Sequence, residues 1–440
     1  MKLKIAFLTL FLYTNLCAAL ANVPLKESEN TKFPQSPIGF VKGFSWGTFG
    51  QKGDYIGPHA EESMKLLAQT GANSATIVFS MSMHSKKSSE IFFDKTNPYM
   101  ASDDDIKNAI RLAHENNLKV ILKPTVNCND GAWRGHIESE DWEKWWQSYT
   151  AAMTHYAKLA QDTNCAAYCI GCEMVTTEDA ESHWRTMISE IRKNFKGPLV
   201  YNTNHGREDK INWWDAVDII GISAYYPVGT TNIAAAIAED MNHIDKKSSL
   251  EQMKKNWLPI RENLRSLSLK WNRPIFFAEI GVRSARGSSA IPWEYYNDWP
   301  YDADEQARYY QAALEMFWHE PWFAGYAWWA WLSHLYSHER AARDRGFCPY
   351  LKPAENIVKD FSMATQYCSE VHFTGKTKPE ELTKQLAVDF AFTGKEVTES
   401  PYVRDIAKYS ENTVYFVNKK KATQSKIYFL VNGFEYSPEY

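Results

Sequence analysis

The chain has 440 residues, a formal net charge of −4 and a hydrophobic fraction of 44%. This length suits one large domain or two to three ordinary ones, and the lack of a basic surplus argues against binding to nucleic acids or anionic membranes. The aromatic content is high, with 17 Trp, 24 Tyr and 22 Phe. Several of the tryptophans lie in predicted loops, where flat rings with polar edges suit the apolar faces of sugars.

The N-terminus has the pattern of an export signal. Positive residues at 2 and 4, an apolar run at 5–16 and a small-x-small site at 19–21 predict a signal peptide over residues 1–21. The apolar run is too short to span a bilayer comfortably, although an uncleaved anchor is the alternative. We therefore expect a secreted or periplasmic protein, with no membrane contact after cleavage and a flexible polar lead-in over residues 22–38.

Eight apolar, mostly non-alternating runs predict eight strands that are buried on both faces. They lie at residues 40–49, 73–80, 118–126, 166–174, 199–203, 217–226, 274–282 and 324–331. Helical segments are predicted at residues 59–70, 102–116, 140–162, 177–195, 207–214, 249–268, 303–318 and 353–361. Eight strand–helix units that close on themselves make a (β/α)8 TIM barrel, which we place at residues 39–366. An open doubly wound sheet is the alternative, but no glycine-rich phosphate motif follows the first strand.

The C-terminal extension, residues 367–440, has a different pattern. It carries β-type patches at residues 386–392, 413–417 and 426–431. These patches predict either a small β module or a loosely ordered extension, and they indicate no role.

Two of the predicted strands end in a glutamate. Glu173 ends the fourth strand and Glu279 lies near the end of the seventh. The site of a TIM barrel lies at the carboxyl ends of its strands, so both side chains can point into the mouth if strand residues of one parity face the axis. Two carboxylates that face one cleft are what glycosidic bond cleavage requires, and a separation of about 5–5.5 Å would indicate retention of configuration through a covalent sugar–enzyme ester.

An acid/base at the end of strand four and a nucleophile at the end of strand seven is the arrangement of the clan GH-A glycoside hydrolases. Within this clan the chain resembles glycoside hydrolase family 113, on motifs that span the predicted barrel. The matching residues are 122–124 (LKP), 130–135 (DGAWRG), Trp142, Trp145, Trp146, Tyr149, 170–174 (IGCEM), 220–221 (IG), 224–227 (AYYP), 278–281 (AEIG) and 283–284 (RS). The resemblance implies that Glu173 is the general acid/base and Glu279 the nucleophile. Known members of the family are mainly β-1,4-mannanases, so it also implies mannan as the substrate.

Other residues at the predicted mouth are candidates for binding the substrate. By analogy with the clan, we expect Tyr226, in preference to Tyr225, to donate a hydrogen bond to the nucleophile. We expect Trp331 to form the aromatic floor under the sugar that is cleaved. Further candidates, each of which also has an ordinary structural interpretation, are Asn204, His205, Trp133, Asn127 and Trp46.

The chain departs from the wider clan at two places. Cys172 stands where most of the clan has an asparagine that binds the sugar 2-hydroxyl, which leaves recognition of that hydroxyl unassigned. Strand two ends in Ser80 and Met81, without the arginine that many members place near the nucleophile. Lys123 and Arg283 are the candidates to supply that charge.

No metal or cofactor is expected. Cys169 and Cys172 are three residues apart on a predicted strand, so their side chains should point to opposite faces. His334 and His338 lack the intervening glutamate of the zincin motif.

The sequence as a whole predicts an enzyme that acts on a carbohydrate. The expected activity is retaining hydrolysis of a β-1,4-linked polysaccharide, with mannan favoured, by double displacement with a Glu acid/base and a Glu nucleophile. The alternatives are a β-glycosidase for another β-glycan, such as a glucan or glucomannan, and a non-catalytic glycan-binding barrel.

Overall fold

A computed structural model describes residues 32–93, 100–240 and 248–363, together with the backbone of five strands between residues 365 and 436. The predicted signal peptide lies outside the described residues, as does the lead-in up to residue 31.

Eight parallel strands pair in chain order and close into a barrel. They are β1 (Val41–Trp46), β2 (Ser74–Met83), β3 (Lys119–Cys128), β4 (Ala167–Cys172), β5 (Leu199–Asn204), β6 (Ile219–Ser223), β7 (Ile275–Ile280) and β8 (Phe323–Trp331). The closed sheet confirms the predicted (β/α)8 TIM barrel and excludes the open doubly wound sheet.

The described helices connect these strands. They are α1 (Pro58–Ala68), α2 (Asp103–Glu115), α3 (Trp142–Asp162), α4 (Glu181–Asn194), α5 (Ile233–Ile237), α6 (Leu250–Trp271), α7 (Ala303–Phe317), α8 (His338–Ala341) and α9 (Pro353–Ser362). Two 3-10 turns, Glu208–Lys210 and Trp214–Ala216, replace the helix expected at residues 207–214. Within the described part of the chain, no helix is both long and apolar enough to cross a bilayer.

The start of α2 shows how local sequence sets an element boundary. The side chain of Ser102 accepts a hydrogen bond from the backbone N–H of Asp105, and the Asp105 carboxylate accepts one from the Ser102 N–H. This reciprocal capping satisfies two N–H groups that a helix start leaves without partners. Acidic residues in the first turn also suit the positive end of the helix dipole.

Closure of the barrel depends on Gly325 in β8, which pairs with Val41 in β1. Gly325 has a φ of 119°, and a Cβ atom there would lie 2.0 Å from the carbonyl oxygen of Val41. Only glycine permits so close a backbone approach. The barrel interior is a separate apolar cluster of small and branched side chains, formed by Val41, Ile121, Ala167, Cys169, Val200, Ile219, Phe276, Ala278, Ala324 and Ala327, with Ile38 at its end.

The C-terminal extension contains strands. These are β9 (Thr365–His372), β10 (Glu396–Val397), β11 (Thr413–Lys420), β12 (Ser425–Val431) and β13 (Phe434–Tyr436). They form an antiparallel sheet in the order β10-β9-β11-β12-β13. Strands β11 and β12 coincide with two of the predicted β patches, whereas the patch at 386–392 lies outside the described residues. The boundary at residue 366 stays a prediction.

Candidate active site

Glu279 reaches the barrel mouth through a break in strand register. Phe276 and Ala278 face the barrel interior, so regular alternation would turn Glu279 outward. A register shift between Phe277 and Ile280 interrupts that alternation. Such irregularities re-aim side chains next to functional sites, and here the shift turns the carboxylate inward.

A similar shift occurs in β4 between Cys169 and Cys172. Cys169 belongs to the interior cluster, and the thiol of Cys172 donates a hydrogen bond of 3.3 Å to Oε1 of Glu279. The expectation that these two cysteines point to opposite faces is therefore wrong, because the irregular backbone turns both toward the barrel axis.

Three donors surround the carboxylate of Glu279, which is 5% exposed. Lys123 Nζ and Cys172 Sγ donate to Oε1, and the Tyr225 hydroxyl donates to Oε2 at 2.9 Å. Burial alone would raise the pKa of Glu279, but the charge and hydrogen bond of Lys123 outweigh it, so the pKa lies below its usual value. The carboxylate is therefore ionised at neutral pH.

Lys123 supplies the positive charge that the sequence left between two candidates. Its side chain is fully buried. Burial alone would lower the pKa of its ammonium group, but the facing carboxylate of Glu279 holds that pKa above its ordinary value. Arg283, the other candidate, instead contacts Glu294 at 2.9 Å and the carbonyl of Asn297.

Glu173 follows β4 with a φ of 55°, in the left-handed region that residues other than glycine seldom occupy. Its N–H donates to the carbonyl of Asn202 on β5 at 2.7 Å. Its Oε2 accepts hydrogen bonds of 3.0 Å from the indole N–H of Trp133 and from Nη1 of Arg134. An unusual backbone conformation that its surroundings hold in place is typical of functional positions.

Arg134 connects Glu173 to the end of β3. Its Nε donates to the Val126 carbonyl at 2.8 Å, and its Nη2 donates to Oδ1 of Asn127 at 2.6 Å. The amide nitrogen of Asn127 donates to Ser80 on β2. Asn127 thus lies at the end of β3 as expected, but Arg134 engages its amide oxygen and Ser80 engages its amide nitrogen.

The expectation that Tyr226 contacts the nucleophile is wrong, because Tyr225 makes that contact. β6 ends at Ser223, and the N–H of Tyr225 then turns back to the Ser223 carbonyl, which breaks the alternation assumed for a longer strand. The hydroxyl of Tyr226 instead donates to Oε1 of Glu208 at 2.7 Å, and its ring packs on Trp257. Burial raises the pKa of Glu208 to about 7.

The expectation that Trp331 and Trp46 line the cleft is also wrong. Both are fully buried, and their indole N–H groups donate to the carbonyl and hydroxyl oxygens of Ser63 on α1. Trp331 packs edge-on against Phe44, and Trp46 packs against Tyr55. These rings fill the space between the strands and α1.

Trp329, two residues before Trp331, differs from it in exposure. It is only partly buried, its ring lies 5.9 Å from the ammonium of Lys123, and it contacts the ring of Phe49 at 5.6 Å. Trp329 is therefore the β8 tryptophan that stays partly exposed, beside the lysine that pairs with Glu279.

Asn204 and His205 lie at the end of β5, as the sequence predicts. Asn204 is half-buried. The imidazole of His205 stacks on Trp293 with ring centroids 5.4 Å apart, and burial lowers its pKa to about 4. Its Nδ1 is buried and has no hydrogen-bond partner among the described residues, so a neutral imidazole adjoins the mouth.

The arrangement separates two carboxyl groups by environment. Glu279 is held ionised by an ammonium group, with two further donors. Glu173 is held through one oxygen by the Trp133 and Arg134 donors, whereas its Oε1 has no partner in the described part of the chain. Both carboxylates thus face a cation, and they differ in that both oxygens of Glu279 accept hydrogen bonds whereas, among the described residues, only Oε2 of Glu173 does so.

The model of glycoside hydrolase family 113 matches residues 44–352. The chain belongs to glycoside hydrolase family 113. The match spans the barrel that carries the two glutamates, so the chain is a glycoside hydrolase, and the predicted resemblance is confirmed. No curated protein sequence matches the chain.

Solved structures of the family share both sequence and fold with this chain. The GH113 β-mannanase AaManA from Alicyclobacillus acidocaldarius, in complex with ManMIm, is 38% identical, covers 74% of this chain and 97% of its own length, and has a TM-score of 0.66. Two GH113 β-1,4-mannanase structures are 31% and 32% identical, with TM-scores of 0.65 and 0.64. Each covers 74% of this chain and 99% of its own length.

The sequence did not assign Tyr225, Trp329 or Cys172 to the site in these roles. Each lies within one or two residues of a candidate that the sequence did name, so the correct strand ends were found. The signal that was missing is the irregular backbone near these strand ends, such as the shift in β4 and the turn after Ser223, which residue types alone do not reveal.

Proposed function

We propose that this family 113 enzyme hydrolyses β-1,4-linked mannan with retention of configuration, with Glu279 as nucleophile and Glu173 as general acid/base. The observation that carries the proposal is the ionised Glu279, paired with buried Lys123, in the same barrel mouth as Glu173. The choice of mannan is supported by the three GH113 mannanase structures that this chain resembles.

The first half of the reaction breaks the glycosidic bond. A carboxylate oxygen of Glu279 attacks the anomeric carbon and forms an ester, while the bond from that carbon to the leaving oxygen breaks. Glu173 donates its proton to the leaving oxygen, so the leaving sugar departs as a neutral alcohol. The hydroxyl of Tyr225 and the ammonium of Lys123 orient Glu279 for this attack.

The second half restores the enzyme. The ionised Glu173 accepts a proton from water as the water oxygen bonds to the anomeric carbon, and the ester bond to Glu279 breaks. The sugar leaves with its original configuration because two inversions have occurred. Trp329 is placed to stack on the apolar face of the reacting sugar.

The test is hydrolysis of a panel of mannan, glucomannan and glucan by the wild type, Glu173→Ala and Glu279→Ala. Glu208→Gln is a matched control, since Glu208 is a buried glutamate that contacts Tyr226 rather than Glu279. We expect release of reducing ends from mannan by the wild type and the control, and a loss of about 10³-fold or more in both alanine variants.

Rescue with azide distinguishes the two roles. With an activated mannoside, azide should restore turnover of Glu173→Ala and give a β-mannosyl azide, because azide then attacks the Glu279 ester. With Glu279→Ala, azide should instead replace the nucleophile and give the α product. Inactivity of the wild type on every glycan would support the non-catalytic alternative, and full activity of Glu279→Ala would exclude it as the nucleophile.

We also propose that the enzyme is exported through the signal at residues 1–21. The support is the charged start, the short apolar run and the small-x-small site of that segment. N-terminal sequencing of the protein expressed with its full leader should give a mature chain that begins near Asn22. An intact Met1 on membrane-bound protein would indicate an uncleaved anchor.

A further inference from the structure

Asn202 on β5 connects the two glutamates of the site, one through its backbone and the other through its side chain. It is fully buried and lies opposite Cys172 in the pairing of β4 with β5. Its carbonyl oxygen accepts the backbone N–H of Glu173 at 2.7 Å. Its amide nitrogen donates to Sγ of Cys172 at 3.2 Å, and Cys172 in turn donates to Oε1 of Glu279. Asn202 therefore contacts the machinery of the site without contacting the mouth itself.

The charge of Glu279 fixes the direction of every hydrogen bond in this chain. An ionised carboxylate only accepts hydrogen bonds, so the contact of 3.3 Å between Sγ of Cys172 and Oε1 of Glu279 requires the thiol to be the donor. Burial raises the pKa of the Cys172 thiol well above its ordinary value, so the thiol keeps its single hydrogen. Because that hydrogen is directed at Glu279, the sulfur can only accept from Asn202, and only the nitrogen end of the amide can donate.

Ser223 on β6 holds the amide of Asn202 in this orientation. Its buried hydroxyl oxygen accepts a hydrogen bond of 3.1 Å from the same amide nitrogen. Ser223 lies opposite Glu279 in the pairing of β6 with β7, and its carbonyl oxygen accepts the N–H of Tyr225 at 2.9 Å. Asn202 is thus linked to both oxygens of the Glu279 carboxylate, to one through Cys172 and to the other through Ser223 and Tyr225.

The thiol depends on this contact because sulfur forms weak hydrogen bonds. A thiol is a weak donor and a weak acceptor, so its own preference for one orientation is small. A hydrogen bond that enters the sulfur from Asn202 polarises the S–H group and strengthens its bond to Glu279, since linked hydrogen bonds reinforce one another where the dielectric is low. Asn202 and Cys172 are both shielded from solvent, so water does not replace the amide in this role.

We propose that Asn202 is a positioning residue for the nucleophile, and that its amide acts through Cys172 by directing the single thiol hydrogen at Glu279. The inference rests on the proposed function for the role of Glu279. It adds a residue that touches neither the substrate nor the nucleophile, yet sets the strength of one of the three donors to the nucleophile.

The kinetic experiment is a double-mutant cycle of the full-length enzyme. Asn202→Leu removes the amide at similar volume, Cys172→Ala removes the thiol, and the double variant removes both. Asn202→Ala provides the same comparison with a smaller side chain. The substrate is a dinitrophenyl mannobioside, whose leaving group departs without a proton from Glu173, so kcat/KM reports on attack by Glu279.

Thr203→Val is the matched control for this cycle. Thr203 is the next residue of β5 and is also fully buried, but its hydroxyl donates to Glu178 at 2.7 Å. The control therefore loses one buried hydrogen bond on the same strand and leaves Cys172 untouched, and its kcat/KM should stay within about two-fold of the wild type.

We expect Asn202→Leu to lower kcat/KM by about 10-fold when Cys172 is present, and by no more than about two-fold when Cys172 is already alanine. The acidic limb of its pH profile should also move to higher pH, because a weaker donor stabilises the ionised form of Glu279 less. Equal losses in the two backgrounds, or a loss in Thr203→Val as large as that in Asn202→Leu, would overturn the inference.

Infrared spectroscopy of the S–H stretching band tests the same contact without a substrate. The difference between each protein and its Cys172→Ser counterpart isolates the band of this one thiol from those of the other cysteines. We expect the band to move to higher frequency in Asn202→Leu and in Glu279→Gln, because both changes weaken the bond that the thiol donates. A band that Asn202→Leu leaves unchanged would overturn the inference, whereas a wild type that cleaves no mannoside would contradict the proposed function alone.

Discussion

At the scale of single residues, the site depends on a charge buried in the barrel. Lys123 lies on β3 and contacts Glu279 on β7, and the side chains of both are almost inaccessible to solvent. Removing one partner of a buried ion pair typically costs about 3–5 kcal/mol, because the remaining charge is left without compensation. If Lys123 is removed, Glu279 avoids this cost by binding a proton and becoming neutral. Lys123 therefore controls the ionisation of the proposed nucleophile.

We predict that Lys123→Met raises the lower pKa of the pH profile of kcat/KM. The ammonium now lowers the pKa of Glu279 against the opposing effect of burial, so its removal leaves burial to raise that pKa. Activity that the wild type retains at acidic pH should therefore be lost as the pH falls, and kcat/KM at neutral pH should fall about 10²-fold or more.

Lys119→Met serves as the control for this profile, since Lys119 is an exposed lysine at the other end of the same strand. A Lys123→Met enzyme that kept the wild-type pH profile would show that Lys123 does not control the ionisation of Glu279.

We predict opposite outcomes for two adjacent tyrosines. Tyr225→Phe removes the hydrogen bond to Oε2 of Glu279 and should lower kcat by about 10- to 100-fold with little change in melting temperature. Tyr226→Phe removes the donor to Glu208 and leaves a buried carboxyl group without that partner, which should cost about 1–3 kcal/mol of unfolding free energy. Steady-state kinetics and thermal unfolding of both variants test this pair, and a larger loss of kcat in Tyr226→Phe would contradict the assignment.

At the scale of elements, the strand ends deliver the site through irregular pairing. Register shifts occur near the ends of β4, β6 and β7, and each shift replaces the strict alternation of a regular strand. An extra residue in one strand turns all later side chains to the other face. Predictions that assume regular alternation therefore misplace the side chains after a shift, as occurred with Cys169 and Cys172.

The end of β8 offers a test at this scale, because two of its tryptophans have different roles. We predict that Trp329→Ala lowers kcat/KM by about 10²-fold with a nearly unchanged melting temperature, since the ring faces the mouth and is only partly buried. Trp331→Phe should instead lower the unfolding free energy by about 1–3 kcal/mol, through the lost bond to Ser63 and looser packing, and should keep most of the activity. Steady-state kinetics and chemical denaturation of both variants test these roles. A Trp329→Ala variant that lost unfolding free energy but kept its kcat/KM would contradict them.

At the scale of the whole molecule, the barrel closes without the C-terminal strands. β1 pairs with β8, and the strands after residue 364 form a sheet of their own. The eight barrel strands therefore have complete hydrogen-bonded neighbours within residues 41–331, which leaves no open edge that another strand must cover.

We predict that a chain truncated after Met363 folds and retains its activity on soluble oligosaccharides. The truncation keeps α9 and its contacts, including the hydrogen bond from Lys42 to the carbonyl of Ser362. Its melting temperature should lie within a few degrees of that of the full chain, with about the same kcat/KM on mannohexaose. A truncated chain that fails to fold would show that the C-terminal strands complete the barrel.

The sequence by itself determined the barrel, the pair of glutamates and the family. Eight apolar runs that alternate with helical segments indicate a parallel sheet, the lack of a glycine-rich phosphate motif favours the closed barrel over the open sheet, and a carboxylate at the end of a buried strand is visible from residue types alone. Only the tertiary structure decided that Lys123 pairs with Glu279, that Tyr225 and Trp329 face the mouth, and that Trp46 and Trp331 are buried. Those outcomes depend on strand register and on tertiary contacts between residues that lie 17 to 268 positions apart in the sequence. A local sequence pattern shows neither the register nor these contacts. One extra residue in a strand reverses the direction of every side chain after it.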